Sequence, residues 1–151
     1  MKIENLQKLI IYTDGGSRGN PGPAAVGVVI KDPEGNTVKT YAQVIGETTN
    51  NEAEYRALIL ALQKAKALFG KEKIKNSLIE IYMDSELVVN QLNGIYKIEE
   101  ETLIPFFIKI WNLRIDCGGN IKIKHVERAK NKEADKLVNQ ALDLEQNKLF
   151  K

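Results

Sequence analysis

Four acidic side chains stand out by type and setting: Asp14 in IYTDGGSRGNPGPAAVG, Glu54 in TTNNEAEYRAL, Asp84 in IYMDSELVVNQL and Asp135 in ERAKNKEADKL. Each is expected at the edge of a strand or helix, where a solvated surface acid is a poor explanation. Carboxylate oxygen is the donor that hard ions such as Mg²⁺ choose, and such ions keep several waters. Two of them roughly 4 Å apart can activate water and stabilise the oxygen leaving a phosphodiester. If folding gathers these four acids, the chemistry they support is that of a nuclease.

The elements that must gather them follow from turn residues and periodicity. Leu9 to Asp14 reads as a first strand, Gly15 to Pro23 as a long Gly/Pro-rich turn, and Ala24 to Lys31 as a second strand. That second strand is apolar on both faces and is therefore expected to be buried. The turn Asp32-Pro33-Glu34-Gly35-Asn36 leads to a third strand, Thr37 to Ile45. A long helix is predicted from Asn50 to Phe69, ended by Gly70. Leu78 to Met83 is a fourth strand, and a short helix follows from Ser85 to Asn93-Gly94. Another helix runs from Thr102 to Asp116, with Pro105 tolerable in its first turn, and Gly118-Gly119 closes it. Ile121 to Val126 is the fifth strand and Asn131 to Gln146 the last helix. The order βββαβααβα implies an α/β fold, a mixed sheet with helices on its faces.

Within that frame each acid competes with a structural explanation. Asp14 could simply form a turn before Gly15, although the polar segment that follows is long for a hairpin. Glu52 stands three residues after Thr49, the spacing of a capping box, so it has a task at the helix start. Glu54 has none. Ala57, Leu58, Ala61 and Leu62 follow it on one helical face, and Ala65 and Leu68 continue that sheet-facing stripe. A carboxylate heading such a stripe is partly dehydrated and needs a cation or donors to stay charged. Asp84 ends a strand, where ligands gather in sheets with parallel strands. It could cap the next helix, but Ser85 serves equally well. Asp135 is favoured in the first turns of its helix by the dipole alone, and Val138 and Leu142 place it beside the buried stripe.

Whole-chain properties narrow the classes. With 151 residues, 43% hydrophobic and 28% charged, the chain is expected to form one globular domain over residues 1–151. The net charge of +2 advertises no strong field for nucleic acid, though an acidic site offsets basic residues elsewhere in that sum. The lone Cys117 cannot form an internal disulfide and reads as a small apolar filler, which suits a reducing compartment. The longest apolar run, Ala24 to Ile30, is too short to span a bilayer, and no signal peptide is evident. A soluble, cytoplasmic, monomeric protein is the expectation. No phosphate-loop motif and no Cys/His cluster occurs.

The segments YTDGGSRGNPGPAAVGVV, TTNNEAEYRALILAL, MDSELVVNQLNG and NKEADKLVNQAL resemble, in order and spacing, the type 1 ribonuclease H family. The resemblance implies a ribonuclease H-like five-stranded mixed sheet flanked by helices. It implies Mg²⁺- or Mn²⁺-dependent cleavage of the RNA strand of RNA–DNA hybrids, leaving 5′-phosphate and 3′-hydroxyl ends. The family's four acids fall on Asp14, Glu54, Asp84 and Asp135, with Asp14 expected to bridge two ions. Its substrate contacts fall on Gly15, Gly16, Ser17 and Asn20, and on Thr49, Asn50 and Asn51. The best-known bacterial pattern carries a loop His before the last acid. Here the lone His125 belongs by local pattern to the strand IKIKHVER, so a structural role is preferred for it. Arg128 is the better loop candidate, matching an Arg near the scissile phosphate in short-loop members; its permanent charge suits phosphate, not proton transfer. A basic protrusion is missing: Asn93 to Phe107 carries Glu99, Glu100 and Glu101, with Lys97 as its lone cation. Hybrid affinity would then rest on scattered Arg18, Lys122, Lys124, Lys130 and Lys132 and be salt-sensitive.

Overall fold

The computed structural model describes residues 7–149. Its elements are β1 (Gln7–Ser17), β2 (Gly22–Lys31), β3 (Thr37–Thr48), α1 (Asn50–Phe69), α2 (Lys71–Lys75), β4 (Ser77–Met83), α3 (Glu86–Leu92), α4 (Ile104–Asp116), β5 (Ile121–His125) and α5 (Lys132–Leu149). Single 3₁₀ turns at Glu101–Leu103 and Arg128–Lys130 precede α4 and α5. The strands form one sheet in the order β3-β2-β1-β4-β5. β1 pairs antiparallel with β2, and β2 with β3; β1 and β4, and β4 and β5, run parallel.

This is the mixed sheet expected from a meander followed by alternating helices, with β1 at its centre. Both faces of β2 are buried along most of its length, as its unbroken apolar run requires. The main core lies between the sheet and α1. Ile11, Val28, Ile79 and Ile81 meet Tyr55, Leu58 and Leu62 there, and Leu103 and Ile110 close the end under α4. On the opposite face α5 packs Val138 and Leu142 against Ala25.

The structure differs from the sequence reading in several places. The long turn expected over Gly15 to Pro23 is mostly strand: Gly15, Gly16 and Ser17 pair with Val26, Ala25 and Ala24. Glycine ordinarily marks a break, but here it is required by proximity. A Cβ on Gly15 would collide with the Ala53 carbonyl of α1, and one on Gly27 would lie 2.6 Å from the Ala134 carbonyl of α5. Tertiary packing has overridden a local turn signal. Second, β3 runs to Thr48 rather than Ile45, and a short α2 fills what reads as a loop. Third, Leu68 is 42% exposed, and Phe69, half-buried against the core, takes its place as the continuation of the α1 stripe after Ala65.

Candidate active site

The four acids are positioned by four different elements. β1 and β4 are parallel neighbours, so Asp14, inside β1, and Asp84, which follows β4, emerge at the same end of the sheet. Glu54 lies in the first turns of α1, whose start is fixed by Thr49: its Oγ1 accepts from the Glu52 N–H at 3.2 Å. The Glu52 carboxylate meanwhile sits 3.5 Å from Arg56. Ser85, not Asp84, caps α3 by accepting from the Val88 N–H at 3.3 Å. Thr49 and Ser85 therefore supply the caps, the Glu52 carboxylate pairs with Arg56, and Glu54 and Asp84 remain for the site.

Asp14, Glu54 and Asp84 each offer one carboxylate oxygen within 4.8 Å of the others. Asp14 and Glu54 are buried, at 8% and 6% exposure, and Asp84 is half-buried. Burial pushes the Asp14 carboxyl up to about 8, helped by the charges of Asp84 and Asp135 and by a side-chain hydrogen bond with Asp135; the Gly15 N–H pulls the other way. Burial also raises Glu54 well above the usual carboxylate range, with Asp14 and Asp84 adding to it. The Gly15 N–H donates to Glu54 Oε1 at 2.8 Å, and the Arg128 guanidinium lowers Glu54, but neither offsets the crowding. All the donors are hard oxygens and the local charge is negative, so a divalent cation fits this donor set.

Asp135 differs from expectation. It is exposed in the first turn of α5, not held at a buried edge, and it stands outside the tight group of three. Val138 is buried one turn further on, whereas Asp135 stays exposed even though its side chain meets that of Asp14. Asp135 still lines the same cleft of about 440 Å³, with Gly15, Gly16, Ser17, Asn50, Asn51 and Arg128. Asn50 accepts through Oδ1 from the Ser17 N–H and hydroxyl, at 2.9 and 3.1 Å. Asn51 donates to Glu100 Oε1 at 2.7 Å.

Two expected substrate contacts lie outside the cleft lining. Thr49 caps α1, and Asn20 accepts from the Asn50 N–H through Oδ1 at 2.9 Å, tying the β1–β2 turn to the start of that helix. His125 ends β5 opposite Met83 and does not line the cleft. Two residues escaped sequence reasoning. Asn139 lines the cleft one turn after Asp135 and donates to that carboxylate at 3.3 Å; its i+4 spacing was the available signal. Asn131, 1% exposed, donates through Nδ2 to Asp84 Oδ2 at 3.0 Å and to the Thr13 carbonyl at 2.9 Å. No local pattern marks that bridge, because its partners are 47 and 118 residues away.

Residues 12–141 match the family described as Reverse transcriptase-like. The chain is 44% identical over 132 residues to Ribonuclease HI of Halobacterium salinarum, covering 87% of this chain and 63% of that protein. It is 40% identical over 137 residues to the Bifunctional protein Rv2228c of Mycobacterium tuberculosis, covering 90% of this chain but 36% of the relative. It thus spans about a third of the length of the mycobacterial relatives it matches. LC11-RNase H1, isolated from compost, superposes with a TM-score of 0.88 at 48% identity, covering 93% of this chain and 99% of that one. The same enzyme in complex with RNA/DNA hybrid gives 0.87 at 49% identity, covering 91% and 99%. With an acid-lined cleft at the ends of β1 and β4, a family match over residues 12–141 and 48% identity to LC11-RNase H1 over nearly all of both chains, the chain belongs to the type 1 ribonuclease H family.

Proposed function

We propose that this chain is a metal-dependent endonuclease that cuts the RNA strand of RNA–DNA hybrids and leaves 5′-phosphate and 3′-hydroxyl ends. The observation that carries the reading is the convergence of three carboxylates from β1, α1 and the end of β4 within 4.8 Å, two of them buried. Repulsion of that kind is costly unless something positive binds there. The binding of RNA/DNA hybrid by a relative 49% identical to this chain supports the substrate class.

Asp14, Glu54 and Asp84 would hold two Mg²⁺ ions, or Mn²⁺ in their place, with Asp135 completing the set. Bound ions of this class supply the charge that activates water and steadies the leaving oxygen in phosphodiester cleavage. The chain does the rest. The Gly15 N–H holds the Glu54 carboxylate, and Asn131 orients that of Asp84. Arg128, at the cleft wall, offers a permanent charge to the scissile phosphate. Asn50 spends its oxygen on Ser17, which leaves its two amide N–H donors for a substrate acceptor. Gly15 and Gly16 let the backbone approach a ribose 2′-hydroxyl, the group that separates RNA from DNA. Asn20 and Thr49 support this contact surface from behind. In this reading the described residues, 7–149, work as one ribonuclease H domain that acts in the cytoplasm as a monomer.

The test is purified protein on end-labelled hybrid, RNA duplex and DNA duplex, each with Mg²⁺, Mn²⁺ or chelator. Cleavage confined to the RNA strand of hybrid and abolished by chelator is expected. Asp14→Asn should lower it by at least roughly 100-fold, the scale of losing one preorganised electrostatic partner, while hybrid binding persists. Hybrid binding without metal-stimulated cutting would make the chain a binding module instead.

A further inference from the structure

The sheet face that bears α5 is only partly covered. α5 packs on β1, β2 and β3, and leaves the β4–β5 side open. From the edge of the part that α5 covers into the open part, a row of side chains crosses four strands: Lys31 on β2, Tyr12 on β1, Tyr82 on β4 and Lys124 on β5. Register makes Tyr12 and Tyr82 neighbours, and Tyr82 and Lys124 neighbours. The two rings stack with centroids 5.2 Å apart. Lys31 Nζ lies 5.6 Å from the centroid of Tyr12, and Lys124 Nζ 5.9 Å from that of Tyr82. The row therefore presents a cation at each end of an aromatic pair, and cation–π attraction holds each ammonium over a ring.

Charge around the row is in excess. Glu80 is 8% exposed, accepts from the Tyr82 hydroxyl at 3.0 Å, and is shared by Lys8 and Lys124, each 3.5 Å away. Lys31 pairs with Glu133 at 2.7 Å. Lys122, Lys130 and Lys132 form no ion pair among the described residues. Lysines on an edge strand also discourage sheet-to-sheet pairing, which would account for Lys122 and Lys124 on β5. It does not account for Lys31, Lys130 and Lys132, which are not on that edge. A cleft of about 210 Å³ opens over Tyr12, walled by Lys31 and by residues 129–134.

This cleft adjoins the acidic one through a single turn. Arg128 lines the acidic cleft, whereas Ala129, Lys130 and Asn131 line the other. Asn131 joins the two through its bond to Asp84. Tyr12 and Tyr82 each precede an acid of the site by two residues, so they share its sheet face roughly 7 Å along the strands. A nucleic-acid strand leaving the acids over the Arg128–Asn131 turn arrives on this lysine floor. Duplex DNA, with a persistence length of about 150 base pairs, bends over such a turn only at a cost, whereas a single strand follows it freely. A cationic groove with aromatic side chains is the surface such strands use.

We propose, on the nuclease reading above, that this face is a second track, which binds the phosphates of a single-stranded extension of the hybrid as it passes the Arg128–Asn131 turn. The full chain is tested in chelator, so that nothing is cut. Fluorescence anisotropy compares a blunt hybrid with hybrids carrying a single-stranded tail of about 8 nucleotides at each of the four strand ends in turn. At least one tail should tighten binding roughly fivefold at low salt. That gain should weaken with salt by about 0.7 log units per phosphate engaged for each tenfold rise in salt. In the variant Lys124→Glu/Lys130→Glu/Lys132→Glu the tailed-to-blunt ratio should return to about one. Circular dichroism checks its fold, and Lys124→Gln/Lys130→Gln/Lys132→Gln repeats the comparison with less repulsion. The proposal is overturned if no tail improves binding by the unaltered protein. It is also overturned if both variants keep the gain, or if tailed and blunt hybrids lose affinity equally. Cleavage of the blunt hybrid in Mg²⁺ is scored separately: its failure would sink the nuclease reading while a tail-dependent gain still marked a binding track.

Discussion

Asp14 and Glu54 are acids that folding has placed where their charges are least welcome. Their folded-state affinities for protons lie above those of the unfolded chain, by burial first and by neighbouring carboxylates second. Such groups stabilise the fold fully below their ordinary range near 4, and that stability is lost as pH rises through the folded value. For Asp14 the window runs from about 4 to about 8. In chelator, thermal unfolding should therefore show stability falling across this window, by on the order of a few kcal/mol. Asp14→Asn should flatten the fall and be more stable than the parent at pH 8, and Mg²⁺ should flatten it in the parent. A parent whose apo stability rises over the window would contradict the crowding argument. Asp135 belongs to the same cleft but is exposed, so water already screens it. Steady-state assays should find Asp135→Asn losing less activity than Asp14→Asn; the reverse order would show that exposure misjudges its part.

At the scale of elements, the site depends on how closely β1 and α1 approach. Gly15 permits that contact, since a side chain there would run into the Ala53 carbonyl and lie 2.7 Å from the Glu54 nitrogen. Gly15→Ala should cost about 1–3 kcal/mol in urea unfolding, as overpacking does. It should also weaken Mg²⁺ binding, because the Gly15 N–H to Glu54 bond is stretched. An unchanged midpoint would mean that the helix can shift freely. The start of α1 is the second control. Thr49→Ala removes the cap on Glu52 and should cost about 1 kcal/mol with the denaturant slope unchanged. Loss of hybrid affinity beyond that would give Thr49 a direct contact as well as its structural one.

The whole molecule carries a formal charge of only +2, yet it distributes that charge unevenly. The acids gather at one end of the sheet, and lysines cover the open face beside them. Blunt hybrid affinity in chelator should fall with salt, with a log–log slope of roughly −3 to −5, as for a few neutralised phosphates. A slope near zero would mean that the blunt hybrid engages no cation of the chain. The approach to α4 carries Glu99, Glu100 and Glu101 beside a lone Lys97 and offers the hybrid no basic handle.

The acids, the caps and most elements were legible in the sequence because each leaves a local trace. Glu54 heads a helical stripe, Ser85 follows a strand at capping distance, and Gly70 ends a helix. Periodicity and capping act over a few residues, and a few residues can be read directly. Tertiary structure alone decided the extension of β1 through Ser17, the exposure of Asp135, the bridge from Asn131 to Asp84 and the gathering of separate lysines on one face. Those outcomes rest on contacts between segments tens of residues apart. The rotation of a helix and the alternation of a strand become directions toward a partner only when the sheet exists.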